Sequence, residues 1–207
     1  MSSDTSTLRA RLRDDTRDLH TRTEAAFVLG APDVTRADYA SVLAHMLGLY
    51  AAAEDALAPW AAALAGYGLE LAPRWKAPLL RRDLQALGGE VMPALPVMRL
   101  PTLGHAFGAL YVLEGSTLGG QLLRRRLGEA LGLTPAAGLA FFSVYGADVG
   151  PMWRAFGGAL DRFDAALAPA DRVVGRADVL AGARATFVAF ERWIVTPTTR
   201  PPAAVRA

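Results

Sequence analysis

The chain has 207 residues, 52% hydrophobic and 20% charged, which suits one globular domain with a sizeable core. It has no cysteine, so disulfides, thiolate catalysis, cysteine zinc sites and iron–sulfur clusters are excluded. The formal charge is only +2, and the pI near 9.3 reflects arginine, since Lys76 is the single lysine; neither argues for a nucleic-acid partner.

In chain order, the pattern predicts helices nearly throughout. Residues 1–5 are expected to be disordered, and Ser6 or Thr7 to cap a first helix whose apolar positions are Leu8, Leu12, Leu19, Ala26 and Phe27. Gly30 and Pro32 end it. Thr35 caps a long second helix, which Pro59 kinks or splits. GYGLELAP reads as a loop, WKAPLLRRDLQALG as a short helix, and GGEVMPALPVMRLP, with three prolines, as irregular. A glycine-containing helix then runs from about Thr102 to Leu131. Pro135 is expected to open a short helix through Val144, and YGADVGP to turn the chain. MWRAFGGALDRFDAAL and DRVVGRADVLAGARATFVAFERWIV form the last two helices, and residues 196–207 a disordered tail. No apolar run suffices to span a bilayer and no apolar leader is evident, so the expected location is the cytoplasm, with no membrane partner.

Two features carry functional information. Gly104, Gly108, Gly115 and Gly119, with Gly120 adjacent, fall on one stripe of their helix, within about 60° at 100° per residue. Four such glycines cost about 3–4 kcal/mol against alanine, a large share of a typical domain stability of ~5–15 kcal/mol. Either another helix packs tightly against this backbone, or a planar ligand lies on it. The second feature is His20, in DDTRDLHTRTE, with Thr16 and Glu24 one turn either side. A carboxylate at that spacing can hold Nδ1–H and leave Nε2 free as a metal ligand. Arg17 and Arg13, one and two turns back, bring positive charge to the same side. An imidazole ligand, a flat bare surface and nearby arginines describe a haem pocket, with the arginines on the propionates. His45 and His105 read as structural.

At this point the chain resembles the haem oxygenases. The matching stretches are DDTRDLHTRTE (14–24) and YVLEGSTLGGQLL (111–123), with FFSVYGADVGPMW (141–153) and ARATFVAFERW (183–193) fitting the bacterial branch that supplies bilin to phytochromes. The resemblance implies an all-α, single-domain helical bundle over residues 6–195, with haem between the first helix and a kinked glycine-rich distal helix. It implies His20 as axial ligand of the iron, Glu24 as its hydrogen-bonding partner, and Gly115, Gly119 and Gly120 against the other haem face. Arg13, Arg17 and Arg184 match positions near the propionates, Phe187 and Phe190 border the pocket, and Tyr111 lies one residue from a family tyrosine. Ser116 stands where animal-type members carry an aspartate that organises distal water. The implied reaction uses haem b as cofactor and substrate, consumes O2, and yields biliverdin, CO and ferrous iron. No nucleotide fingerprint is present, so neither flavin nor nicotinamide is expected to bind, and electrons come from a ferredoxin or flavoprotein reductase. A bacteriophytochrome is the implied biliverdin acceptor. Thiamin-degrading relatives of this scaffold need a cysteine and di-iron ones Glu-x-x-His pairs, both absent here; a haem module that binds without opening the ring is the rival from another class.

Overall fold

The structure, a computed structural model, describes residues 7–90, 97–195 and 198. The expected disorder of residues 1–5 and of 196–207 apart from 198, the alternative cap Ser6, and residues 91–96 of the proline-rich stretch lie outside the described residues. The helices are α1 (Leu8–Asp15), α2 (Arg17–Ala26), α3 (Arg36–Leu57), α4 (Ala61–Gly66), α5 (Ala77–Ala86), α6 (Leu103–Leu131), α7 (Val149–Ala166) and α8 (Arg172–Phe190). Short 3-10 turns link several of them, and α8 ends in a π-helical turn, Glu191–Val195. The all-α reading therefore holds, with no strand among the described residues.

Local chemistry explains most boundaries. Thr7 accepts the N–H of Ala10 at the start of α1, and Thr35 forms a full capping box with Asp38 on α3. Pro59 splits the long helix: α3 stops at Leu57, a 3-10 turn follows, and α4 resumes at Ala61. Gly132, at φ 64°, closes α6 in the left-handed conformation.

Two expectations are corrected. The first helix is two, hinged at Thr16, whose φ and ψ of −111° and 3° leave the helical region. The buried Thr16 hydroxyl donates to the Leu12 carbonyl at 2.7 Å, a back-bond that bends helices. The helix predicted from Pro135 to Val144 is instead a tight turn followed by the 3-10 turn Phe141–Ser143. Gly138 sits at φ 96°, and the fully buried Asp83 carboxylate of α5 takes the N–H groups of Ala140 and Phe141 at 2.8 and 2.7 Å. A remote carboxylate satisfies these donors, so the segment needs no helix.

Helix α8 organises the rest. It packs along α6, and α1, α2 and α7 pack on it as well. Arg22 of α2 reaches Glu191 in the π turn at 2.6 Å, and Arg9 of α1 reaches Asp161 of α7 at 2.7 Å.

Candidate functional site

The glycine stripe divides into two halves with different neighbours. At the N-terminal end of α6 it is a helix contact. A Cβ on Gly108 would lie 2.1 Å from the Val179 carbonyl oxygen and 2.6 Å from the Ala183 nitrogen. One on Gly104 would lie 2.7 Å from Asp178 Cβ and 3.1 Å from the Gly175 carbonyl oxygen. Gly182 of α8 answers in kind, with His105 backbone 2.3 Å from its Cβ position. No side chain fits between these two backbones.

The C-terminal half is bare for another reason. A Cβ on Gly119 would meet nothing within 4 Å, one on Gly115 only the Trp153 ring at 3.7 Å, and one on Gly120 only Phe142 at 3.4 Å. The protein's own packing therefore does not require glycine at 115 or 119, although alanine would be worth about 1 kcal/mol more at each. Helix α6 runs unbroken through all three. Beside them Leu118 and Leu122 are 44% and 59% exposed, an apolar border to the naked backbone. Leu122 follows Gly115 by seven residues and so lies on the same line. Helix packing thus accounts for the N-terminal half of the stripe and leaves the C-terminal half without a partner among the described residues.

Tyr111 occupies the dividing point. Its ring packs on Trp153 at 5.8 Å, and Trp153 in turn stacks on Phe156 at 5.4 Å. Burial pushes the Tyr111 phenol up, and the neighbouring Thr16 side chain at the α1–α2 hinge pulls it down. Tyr111 therefore lies beside the hinge.

His20 stands on α2 with its side chain 58% exposed. Its Nδ1 faces the Glu24 carboxylate at 3.4 Å, as the i, i+4 spacing predicted. Its ring meets the buried Phe187 of α8 edge-on, centroids 6.0 Å apart at 78°. Nε2 has no hydrogen bond among the described residues. Phe190 continues the same wall, packed edge-on against Phe27 at 6.0 Å. The imidazole wall and the glycine helix thus share α8 as a support: Ala183 abuts Gly108, and Phe187, one turn further on, abuts His20.

Arg13, Arg17 and Arg184 converge on the hinge. Arg17 pairs with Asp14 at 2.6 Å, Arg13 approaches it at 3.4 Å, and Arg184 donates to the Asp15 carbonyl at 3.3 Å. The face shared by Thr16, His20 and Glu24 is less uniform than helical spacing implies: Thr16 is buried, whereas His20 and Glu24 are exposed.

Ser116 is held in a defined state. Its hydroxyl donates to the Leu113 carbonyl at 3.0 Å and lies 3.0 Å from the buried Tyr50 hydroxyl. With the serine proton committed to Leu113, Tyr50 is the donor of the pair. Ser116 then offers outward only a lone pair, as an ionised carboxylate would.

Behind this turn lies a cluster that spacing did not reveal. Glu114, fully buried, receives Arg74, Lys76 at 2.5 Å, and the Tyr145 hydroxyl at 3.1 and 3.3 Å on its two oxygens. Glu114→Leu takes from the buried Arg74 and Lys76 the carboxylate both of them touch and is expected to cost about 3–5 kcal/mol, measured by urea unfolding, with Glu114→Gln costing less. Burial is also the main force raising the phenols of Tyr39, Tyr50 and Tyr145 well above 10.0, and nearby carboxylates add to it. Folded pKa values above the unfolded ones mean full stabilisation below pH ~10 and progressive loss above it. In an alkaline absorbance titration, these three of the five tyrosines should ionise late, together with unfolding.

The fold and site define a helical protein with a half-exposed imidazole on α2 and a glycine stripe on α6 whose C-terminal half the protein's own packing leaves open. Residues 6–196 match the family model described as "Heme oxygenase". The chain is 38% identical over 167 residues to a heme oxygenase of Xanthomonas campestris pv. campestris, covering 78% of this chain and 92% of that protein. In fold it is similar to heme oxygenase from Leptospira interrogans, with TM-score 0.73 and 19% identity over 92% of this chain and 99% of that one. It is equally similar to the NO- and CO-bound heme oxygenase of Neisseria meningitidis, with TM-score 0.73 and 24% identity over 93% and 92% of the chains. The chain belongs to the haem oxygenase family.

Proposed function

We infer that the chain is an enzyme that opens haem oxidatively to biliverdin, releasing CO and iron. The observation that carries this reading is the divided stripe. Gly115 and Gly119 are kept bare at a cost in helix stability, on a part of α6 where no neighbouring helix demands it. A porphyrin is flat, apolar on its faces and anionic at one edge, and the surrounding residues suit each property.

Haem b, when bound, supplies the oxygen-activating chemistry and is itself the substrate. His20 would hold the iron through Nε2, with Glu24, from the Nδ1 side, fixing the ring's orientation and tautomer. Phe187 stops the imidazole from rotating and closes its far side. Gly115 and Gly119 would admit the other haem face close to the main chain, with Leu118 and Leu122 at its rim, while Gly120 turns toward Phe142. Ser116, fixed by Tyr50, accepts a hydrogen bond from a distal water and so orders it. Arg13, Arg17 and Arg184, now on Asp14 and the Asp15 carbonyl, would hold the propionates.

No helix among the described residues is long and apolar enough to cross a membrane. The proposed setting is the cytoplasm, with electrons from a ferredoxin or flavoprotein reductase and a bacteriophytochrome as acceptor of the bilin. Reconstitution with haem tests the reading. Reductant and air should convert the haem spectrum to that of biliverdin, with CO in the headspace. A haem spectrum that persists through reduction and reoxidation would instead define a non-catalytic haem module.

A further inference from the structure

Residues from three other parts of the chain meet one turn of α6. Arg74 and Lys76 come from the 3-10 turn Ala72–Arg74 and its exit, Tyr50 and Glu54 from α3, and Tyr145 from the turn before α7. Lys76, the chain's single lysine, donates to Glu114 at 2.5 Å and to the Arg74 carbonyl at 3.4 Å. Arg74 donates to the other Glu114 oxygen and to the Met152 carbonyl, while its Nε is buried with no partner among the described residues. Glu54 takes the N–H groups of Lys76 and Ala77 at 2.5 and 2.9 Å, capping α5. Tyr145 reaches Glu114 from a left-handed backbone at φ 67°, a conformation that a tyrosine keeps only where its surroundings hold it.

The charges form a ledger of two cations, Arg74 and Lys76, and two carboxylates, Glu54 and Glu114. Loss of Lys76 alone leaves this buried group with a surplus negative charge. Glu114 is followed directly by Gly115 and Ser116, and its charge acts on Tyr50, the residue that donates to Ser116. In a low-dielectric interior such a charge is weakly screened. A surplus carboxylate here would oppose any gain of electron density on the distal side.

We propose that Lys76 is a positioning residue that acts through Glu114, balancing the buried charge directly behind Gly115 and Ser116 and thereby setting the electrostatic field on the distal side of the haem slot. The proposal rests on the haem reading above and adds a residue that touches neither haem nor its ligand.

The probe is carbon monoxide on ferrous haem in the reconstituted full chain, whose C–O stretching band moves up when nearby positive potential is lost. Lys76→Met and Lys76→Gln should both move it up by several wavenumbers. Lys76→Arg should leave it near the wild-type position. Tyr145→Phe, which removes a hydrogen bond to Glu114 without removing charge, should move it less than Lys76→Met does. Lys76→Gln retains a donor to Glu114 and carries the test if the methionine variant does not fold. Unmoved bands in the neutral variants overturn the proposal, as does an equal shift in Tyr145→Phe or a methionine-like shift in Lys76→Arg. A wild-type chain that yields no haem complex at all overturns the haem reading first, and is seen before any variant is compared.

Discussion

His20→Ala should lower bilin formation by more than ~100-fold, beyond the ~10–100-fold that loss of a metal ligand's hydrogen-bond partner usually costs. Added imidazole should restore part of the activity, because the substitution leaves Gly115, Gly119 and Phe187 unchanged. Glu24→Ala should fall within the smaller range, since His20 keeps its contact with Phe187 but loses the carboxylate 3.4 Å from Nδ1. The measurement is single-turnover conversion of bound haem, with the haem spectrum reporting the axial ligand separately. Unaltered turnover in His20→Ala without added imidazole would show that another group serves the iron. His45 and His105 are poor substitutes, because they lie on α3 and α6 and neither shares the α2 face beside Phe187.

The second large effect separates the two halves of the stripe. Gly108→Ala forces a methyl group to within 2.1 Å of a carbonyl oxygen and 2.6 Å of a backbone nitrogen, so α6 and α8 must move apart. Overpacking of this kind costs ~1–3 kcal/mol or more, and backbone on both sides places it at the upper end. Gly119→Ala meets no atom within 4 Å and gains helix propensity, so the haem-free protein should become more stable by up to about 1 kcal/mol. The same methyl group would occupy the face where haem is to rest, and haem affinity should fall. Thermal unfolding of both variants, with and without haem, reads these opposite signs directly. A Gly119→Ala protein that is stabilised and still binds haem as tightly as wild type would remove the stripe's C-terminal half from the pocket.

The contrast shows what spacing could and could not say. The stripe itself was legible, because the helical repeat alone aligns residues 104, 108, 115 and 119. Its division was not, because the partner of Gly104 and Gly108 lies about seventy residues away on α8, in Gly175, Gly182 and Ala183. His20 and Glu24 were legible as a local pair for the same reason that the stripe was, whereas the contact with Phe187 is tertiary. The hinge at Thr16 escaped detection because threonine at a mid-helix position breaks no pattern; only its buried hydroxyl, turned onto Leu12, bends the chain. The segment after Pro135 was misread because its donors are satisfied by Asp83, fifty-seven residues earlier. Lys76 carried a faint signal as the lone lysine among many arginines, but nothing in its neighbourhood pointed to Glu114.

The leucines at 118 and 122 bear on how such a protein lives without its guest. Together with Gly115 and Gly119 they leave an oily stretch of α6 open to water. A guest that covers it binds the native state and not the unfolded chain, so each increase in its concentration deepens the folded well. Starved of pigment, the protein would be both easier to unfold and stickier, and cellular abundance of the enzyme would follow the supply of the molecule it destroys.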